Sequence, residues 1–113
     1  MNLHSPTLFI IQPSIIIRFF FFELFNIEVN NMYIDIRSKS DFIKGHIDGA
    51  VNIDYIFLVL YPERFLKKEI KYYIYCNSGK KSKMVTSKLN KLGYNCVNLE
   101  GGYNNYLLNK EKI

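Results

Sequence analysis

One stretch of the chain decides its fold: Tyr72-Tyr73-Ile74-Tyr75-Cys76-Asn77-Ser78-Gly79-Lys80-Lys81-Ser82. The aromatic and β-branched residues before the cysteine predict a buried strand. The polar residues and the glycine that follow it predict a tight turn. From Lys80 onward, apolar residues recur at helical spacing, and Gly93 predicts the end of that helix. The stretch therefore predicts a strand that stops at a cysteine, a turn, and a helix.

This arrangement places a thiol in front of the first turn of a helix. Several backbone N–H groups point at such a spot, and the helix end carries roughly half a positive charge. Lys80, Lys81 and Lys83 add full positive charges. These surroundings favour thiolate over thiol and lower the pKa of a cysteine. Cys76 is therefore the candidate nucleophile, with an anionic partner. The alternative is that Cys76 is a small buried apolar residue, the commonest role of a free cysteine.

Length and composition bound the function further. The chain has 113 residues, enough for one domain. Its net charge of +5 fits an anionic substrate or a solvated lysine surface, and we expect no nucleic-acid partner. Its two cysteines form no C-x-x-C pair, and its two histidines are far apart. We therefore expect no metal, no organic cofactor and no disulfide framework, and we expect a reducing cytoplasm as the location.

Residues 1–31 are an atypical apolar segment, which we separate from a domain spanning residues 32–113. Arg18 interrupts the segment, and an arginine in the middle of a membrane helix costs about 2.5–3.5 kcal/mol on insertion scales. A secretory signal requires a positive charge before its apolar region, and no Lys or Arg precedes the first apolar run here. We therefore expect no membrane association. Two interpretations stay open: the segment adds a strand and a short helix to the core, or the natural start is Met32.

From residue 32 onward, strands alternate with helices. The pattern predicts strands over 32–36, 51–53, 71–75 and 95–99, and helices over 38–44, 63–68, 80–92 and 103–108. Ser38 is the expected N-cap of the first helix. Such alternation implies an α/β fold with a parallel sheet covered on both faces. Arg37, Cys76 and Glu100 each follow a strand, so we expect them to meet at the carboxyl ends of the strands, where ligands bind.

Four segments in this order carry a family resemblance: 34–37 (IDIR), 41–53 (DFIKGHIDGAVNI), 75–82 (YCNSGKKS) and 99–102 (LEGG). Together they make residues 32–109 similar to a single rhodanese domain, a sulfurtransferase module. The resemblance implies a parallel sheet of about four to five strands with helices on both faces. It also implies that the loop from Cys76 to Lys81 is the active loop, and that Cys76 carries a sulfane sulfur as a persulfide.

The resemblance implies the rest of the site as well. The backbone N–H groups of the loop would stabilise the anionic persulfide; they belong to Asn77, Ser78, Gly79, Lys80, Lys81 and Ser82. The side chains of Lys80 and Lys81 would attract a small anionic donor, thiosulfate or another persulfide. A thiol, cyanide or the cysteine of an acceptor protein would then take the sulfur. Arg37 lies at the mouth, where it is a candidate substrate-binding residue. We favour a structural role, in which it pairs with a carboxylate such as Asp41 or Glu100.

The chain departs from the family pattern at two positions. Lys81 stands where the family often has arginine, so the charge is kept but the bidentate fork is lost and thiosulfate use is weakened. Tyr106 replaces the usual tryptophan after the double glycine. Among the other polar candidates, we expect Asp35 to be structural, His46 to be remote from the chemistry and Cys96 to belong to the core.

Two rival functions remain open. One is a non-enzymatic binding or regulatory module on the same fold. The other is a phosphatase or arsenate reductase. Related phosphatases have a loop one residue longer than the six-residue span from Cys76 to Lys81, which favours the sulfurtransferase.

Overall fold

The fold is described for residues 31–111 of a computed structural model. Strands and helices alternate along this part of the chain: β1 Asn31–Asp35, α1 Lys39–Lys44, β2 Val51–Asn52, α2 Tyr55–Leu60, a 3-10 turn Pro62–Arg64, β3 Lys71–Tyr75, α3 Lys80–Lys91, β4 Asn95–Asn98 and α4 Gly102–Glu111. Two helix ends follow from local chemistry. The Ser38 side chain accepts a hydrogen bond from the Asp41 N–H and caps α1, as predicted. Gly93, with φ of 96°, follows the C-cap of α3.

The four strands form one parallel sheet in the order β2-β1-β3-β4. Ile34 of β1 lies beside Ile74 of β3, and Ile74 lies beside Asn98 of β4. The predicted α/β class and parallel sheet are confirmed, with four strands in the part of the chain that the structure describes. Since all strands run the same way, their carboxyl ends lie along one edge of the sheet.

The alternation of side chains along β1 and β3 builds two apolar layers. Ile34, Ile74 and Cys76 point to the face that α2 and α3 cover, and they belong to the larger cluster of buried residues. Tyr75 points to the opposite face, where it packs with residues of α1 and α4, including Tyr103. Strands buried on both faces explain why β3 consists almost entirely of apolar and aromatic residues.

One predicted helix is wrong. Residues 63–68 do not form a helix; the chain makes a single 3-10 turn over Pro62–Arg64. Phe65 and Leu66 instead turn into the core, where they are 6% and 5% exposed, and both donate their N–H to the Pro62 carbonyl oxygen. The helical residues before this turn are the apolar run Tyr55–Leu60, for which the sequence predicted no element. Asp54 caps that helix by accepting a hydrogen bond from the Ile56 N–H.

Both interpretations of residues 1–31, an added strand with a short helix or a natural start at Met32, concern residues outside the described part, except for Asn31, which begins β1. Within residues 31–111, no helix is both long enough and apolar enough to cross a bilayer.

Candidate active site

The loop after β3 holds Cys76 at the carboxyl edge of the sheet. β3 ends at Tyr75, and α3 begins at Lys80, as the sequence predicted. Between them Gly79 adopts the left-handed conformation, with φ of 92°, which reverses the chain over so few residues. The sulfur of Cys76 therefore faces the first turn of α3.

Two backbone N–H groups and one hydroxyl contact this sulfur. The N–H of Gly79 donates to Sγ at 3.1 Å, and the N–H of Ser82 donates to it at 3.5 Å. The hydroxyl oxygen of Ser82 lies 3.4 Å from the same atom. The predicted cradle of N–H groups is thus present in part: of the six loop residues named from the sequence, Gly79 and Ser82 hydrogen-bond the sulfur.

These contacts decide the protonation of the thiol. Burial by itself raises the pKa of Cys76, because the charged form loses water. The Ser82 hydroxyl and the backbone N–H groups of Ser82, Gly79 and Lys81 oppose burial, and the net effect lowers the pKa. The hydrogen bonds therefore favour the thiolate over the thiol more than burial disfavours it.

The hydroxyl of Ser82 connects the sulfur to the next strand. It is within donor distance of the side-chain oxygen of Asn98, at 2.5 Å, and of the Gly79 carbonyl oxygen, at 3.2 Å. A hydroxyl has one proton to give, so these two oxygens compete with the sulfur for it. The amide nitrogen of Asn98 in turn donates to Glu100 Oε1 at 3.4 Å. Sequence reasoning missed Asn98; its signal was a polar residue at the carboxyl end of the strand beside β3.

The start of α4 supports the loop from behind. Tyr103 N–H donates to the Cys76 carbonyl at 2.8 Å, and Asn104 N–H donates to the Asn77 carbonyl at 3.1 Å. A Cβ on Gly102 would collide with both of these carbonyl oxygens. Gly102, the first residue of α4, is therefore needed for the close approach of two backbones.

Arg37 is buried beneath the loop, and its predicted partner was wrong. It pairs with Asp35, at 2.7 Å between Nη2 and Oδ2, and not with Asp41 or Glu100. Asp35 is the last residue of β1 and fully buried, so its charge needs a partner at once, and the nearest cation is two residues along the chain. The expectation that Asp35 is structural is confirmed.

The remaining nitrogens of Arg37 join separate parts of the site. Nη2 also donates to the Gly45 carbonyl at 2.7 Å, and Nη1 donates to the Asn77 side chain at 3.3 Å. The guanidinium lies 4.2 Å from the centre of the Tyr103 ring. Burial by itself lowers the pKa of Arg37. The hydrogen bond with Asp35 and its negative charge act in the opposite direction and prevail, so the pKa is raised. Arg37 is thus a permanent cation that fixes Asn77 beside Cys76.

An open cleft of about 440 Å³ leads to Cys76. It is lined by residues that follow β1, β2 and β3: Ile36, Arg37, Ser38, Asp41, Asp54, Tyr55, Cys76, Asn77, Ser78, Lys80 and Lys81. The predicted meeting of Arg37 and Cys76 at one mouth is therefore observed, whereas Glu100 is not among the residues that line this cleft. The ammonium of Lys81 rests 4.3 Å from the centre of the Tyr55 ring, at one side of the cleft.

Two residues that the sequence set aside lie elsewhere. His46 stacks on Phe42, with ring centres 3.7 Å apart, and it does not line the cleft. Cys96 lies in the core beneath α3, where burial raises its pKa to about 11. Among the described residues, no cluster of His, Cys, Asp and Glu has the arrangement of a metal site.

The parallel sheet with a cysteine loop between β3 and α3 defines a class of α/β proteins with a cysteine at the strand end. Comparison with known proteins identifies the family: the model of the rhodanese-like domain matches residues 25–109, and the chain belongs to that family.

Three relatives illustrate the similarity. A rhodanese-related protein of Thermoplasma volcanium is 26% identical, with a TM-score of 0.66 over 79% of this chain and 85% of its own. A human single-domain sulfurtransferase is 27% identical, with a TM-score of 0.61 over 70% of this chain and 82% of its own. The mitochondrial protein HIGH ARSENIC CONTENT 1 of Arabidopsis thaliana is 31% identical over an alignment of 90 positions. That alignment covers 68% of this chain and about half of the relative, 53%.

Proposed function

We propose that this protein is a sulfurtransferase that moves sulfane sulfur through a persulfide on Cys76. The observation that carries the proposal is the contact of the sulfur with the Gly79 and Ser82 N–H groups at the base of an open cleft. The human sulfurtransferase among the structural relatives supports the same activity. Cys76 would therefore be the nucleophile of covalent, two-step chemistry.

In the first step the Cys76 thiolate attacks the outer sulfur of the donor. A new S–S bond forms at Cys76, and the S–S bond of the donor breaks. The leaving group takes the electron pair: sulfite leaves from thiosulfate, and a thiolate leaves from a persulfide. The persulfide on Cys76 is an anion, and the N–H groups that face Cys76 would stabilise its negative charge as they do that of the thiolate.

In the second step the thiolate of an acceptor attacks the outer sulfur of this persulfide. The acceptor gains the sulfur, and Cys76 leaves as a thiolate, so no external oxidant or reductant is consumed. The same donors that lower the pKa of Cys76 make it a good leaving group here. Cyanide would react in the same way and yield thiocyanate.

The cations of the cleft bear on the choice of donor. Lys80 and Lys81 line it, and Lys81 lies over the Tyr55 ring. An ammonium attracts an anion as a point charge but cannot grip a sulfonate with two parallel hydrogen bonds, as a guanidinium does. We therefore propose that persulfides are better donors than thiosulfate, and that Lys81→Arg improves the KM for thiosulfate.

The proposal is tested by the intact mass of the reduced protein after incubation with thiosulfate and with a small persulfide. We expect a gain of one sulfur atom that dithiothreitol removes. Cys76→Ser should abolish the gain, and Cys96→Ser, the matched control, should retain it. A wild-type protein that gains no sulfur from either donor would refute the proposal.

Arsenate is a second candidate substrate, since the name of the Arabidopsis relative refers to arsenic. Arsenate is an oxyanion, and the cleft offers lysines and a thiolate to it. Two thiols would become a disulfide as arsenate becomes arsenite. Arsenite formation that requires Cys76 and a thiol reductant, in a protein that gains no sulfur, would favour this second function.

A further inference from the structure

The helices α2 and α3 leave an apolar groove on the surface. Ile56, Leu60 and Met84 are 48%, 61% and 63% exposed, which is high for large apolar side chains. The groove measures about 220 Å³. It is lined by Tyr55, Ile56, Val59, Leu60, Met84, Val85 and Lys88, and we refer to it as the α2–α3 groove. Contiguous apolar surface of this kind is typical of an interaction site.

The α2–α3 groove opens beside the active cleft. Tyr55 lines both the cleft and the groove, so the two adjoin at this residue. Lys81, at the edge of the cleft, rests on the same ring. A protein segment seated in the groove would therefore begin next to the mouth through which Cys76 is reached.

The charged residues within helices α2 and α3 are all positive, since α2 contains none and α3 contains only lysines. Helix α3 contains lysines at positions 80, 81, 83, 88 and 91, and no Asp or Glu. Lys81, Met84 and Lys88 are three, four and seven residues apart, so they share one face of the helix. The exposed Met84 thus has a lysine on either side of it along this face. A surface of this kind complements a large apolar side chain flanked by carboxylates.

We propose that the α2–α3 groove docks the protein that accepts sulfur from Cys76, through an acidic segment with a large apolar side chain near the acceptor cysteine. This inference rests on the proposed sulfurtransferase function and names the class of its acceptor. A second copy of this chain is a poorer occupant. A two-fold interface brings the same surface of both copies together, so the lysines of α3 would face lysines. Met84 suits a docking role, because its flexible side chain adapts to different partners.

The kinetic test compares three synthetic peptides as acceptors, each with a single cysteine. The first contains Leu, Asp and Glu, the second has Lys in place of every acid, and the third has Ser in place of every Leu. We expect the first peptide to take sulfur from persulfidated Cys76 about 10-fold faster than either of the others. Equal rates for the three peptides would overturn the docking proposal.

Two variants locate the effect on the groove. Met84→Gln and Lys88→Glu should each slow transfer to the acidic leucine peptide about 10-fold. Leu108→Gln is the matched control, since Leu108 is an apolar residue of similar exposure, 57%, on α4 at the other side of the sheet. All three variants should transfer sulfur to dithiothreitol at the wild-type rate. Unchanged transfer to the peptide in both groove variants would overturn the proposal.

A binding measurement keeps the inference separate from the sulfur chemistry. In the full-length Cys76→Ser protein, the acidic leucine peptide should shift the methyl NMR signal of Met84. The lysine peptide should reach the same shift only at about 10-fold higher concentration. If the wild type gains no sulfur, the proposed function fails, and this titration alone decides whether the groove binds such a peptide. Absence of any shift of the Met84 signal would overturn the docking proposal.

The same signal distinguishes other occupants. We expect a soluble gadolinium chelate to broaden the Met84 methyl signal of the free protein and the bound peptide to protect it. Protection without peptide at every protein concentration would mean that residues 1–30 fill the groove. Protection that appears only as the concentration rises would mean that a second copy does. Either result would overturn the proposal.

Discussion

Cys76 and Cys96 lie on the same face of the sheet and are buried to the same degree, 8% and 6% exposed. Yet burial raises the pKa of Cys96 to about 11, whereas the pKa of Cys76 is lowered. The difference lies in the backbone around each sulfur. Cys96 is inside β4, where its own N–H and carbonyl bond the side chain of Asn90. Cys76 is just beyond β3, where the turn directs other N–H groups at its sulfur.

Position relative to the strand end, and not exposure, therefore sets the direction in which the pKa of each cysteine shifts. In the interior of a strand, N–H groups are engaged in the ladder or in a side-chain bond and are not available to a neighbouring thiol. At the first turn of a helix, several N–H groups lack a backbone partner and are free to bond a thiolate.

The largest effect on this difference is expected from Gly79→Ala. An alanine at φ of 92° costs about 1–2 kcal/mol, and relief of that strain moves the N–H that faces the sulfur. A hydrogen bond to a charged group contributes about 1.5–3 kcal/mol, so we expect the alkylation rate of Cys76 at neutral pH to fall about 10-fold or more. The rate is measured by mass spectrometry after treatment with iodoacetamide.

Gly93→Ala is the control for strain alone. Gly93 has a nearly identical φ of 96°, but it follows α3 at the end remote from Cys76. The free energy of unfolding should fall by about 1–2 kcal/mol in both variants, whereas alkylation of Cys76 should slow only in Gly79→Ala. Equal alkylation rates in the two variants would show that the Gly79 N–H does not activate the sulfur.

A smaller effect is expected from Ser82→Ala. The hydroxyl lowers the pKa of Cys76 but shares its one proton with the oxygens of Asn98 and Gly79. Its loss, worth about 1 kcal/mol, should slow alkylation of Cys76 at neutral pH about 5-fold and move the midpoint of its pH profile upward. Ser78→Ala is the matched control, because that hydroxyl accepts a bond from the Lys80 N–H and does not touch the sulfur. A wild-type midpoint in Ser82→Ala would contradict the assignment.

The smallest effect on sulfur transfer is expected from Cys96→Ala. Removal of a buried sulfur atom should lower the free energy of unfolding by about 1 kcal/mol and leave the loading of Cys76 with sulfur unchanged.

The wild-type thiol of Cys96 also makes the stability of the protein depend on pH. Since Cys96 ionises at about 11 when folded and earlier when unfolded, it stabilises the protein below the ordinary thiol pKa, and that contribution is lost as the pH rises toward about 11. Urea unfolding of the wild type and of Cys96→Ala should show that the wild type loses its advantage in the free energy of unfolding as the pH rises toward about 11.

Much of this contrast was predictable from the sequence. The bounds of β3 and the start of α3 followed from the apolar pattern and the turn chemistry, and together they fixed the position of Cys76.

The partner of Arg37 was not predictable, because spacing alone does not rank Asp35 above Asp41 when both lie within a few residues. Asn98 was missed since its contact with Ser82 depends on the register between β3 and β4, which no local pattern encodes. The helix α2 was missed because an apolar run of six residues also suits a strand or a loop.

The most direct test of the account is the pH dependence of iodoacetamide alkylation, followed separately for Cys76 and Cys96 in the folded, reduced protein. The account predicts that Cys76 reaches half of its maximal rate below the ordinary thiol pKa of about 8.5, whereas Cys96 reacts only as the pH approaches about 11. A midpoint for Cys76 at or above about 8.5 would show that burial prevails over the hydrogen bonds, and it would contradict the account.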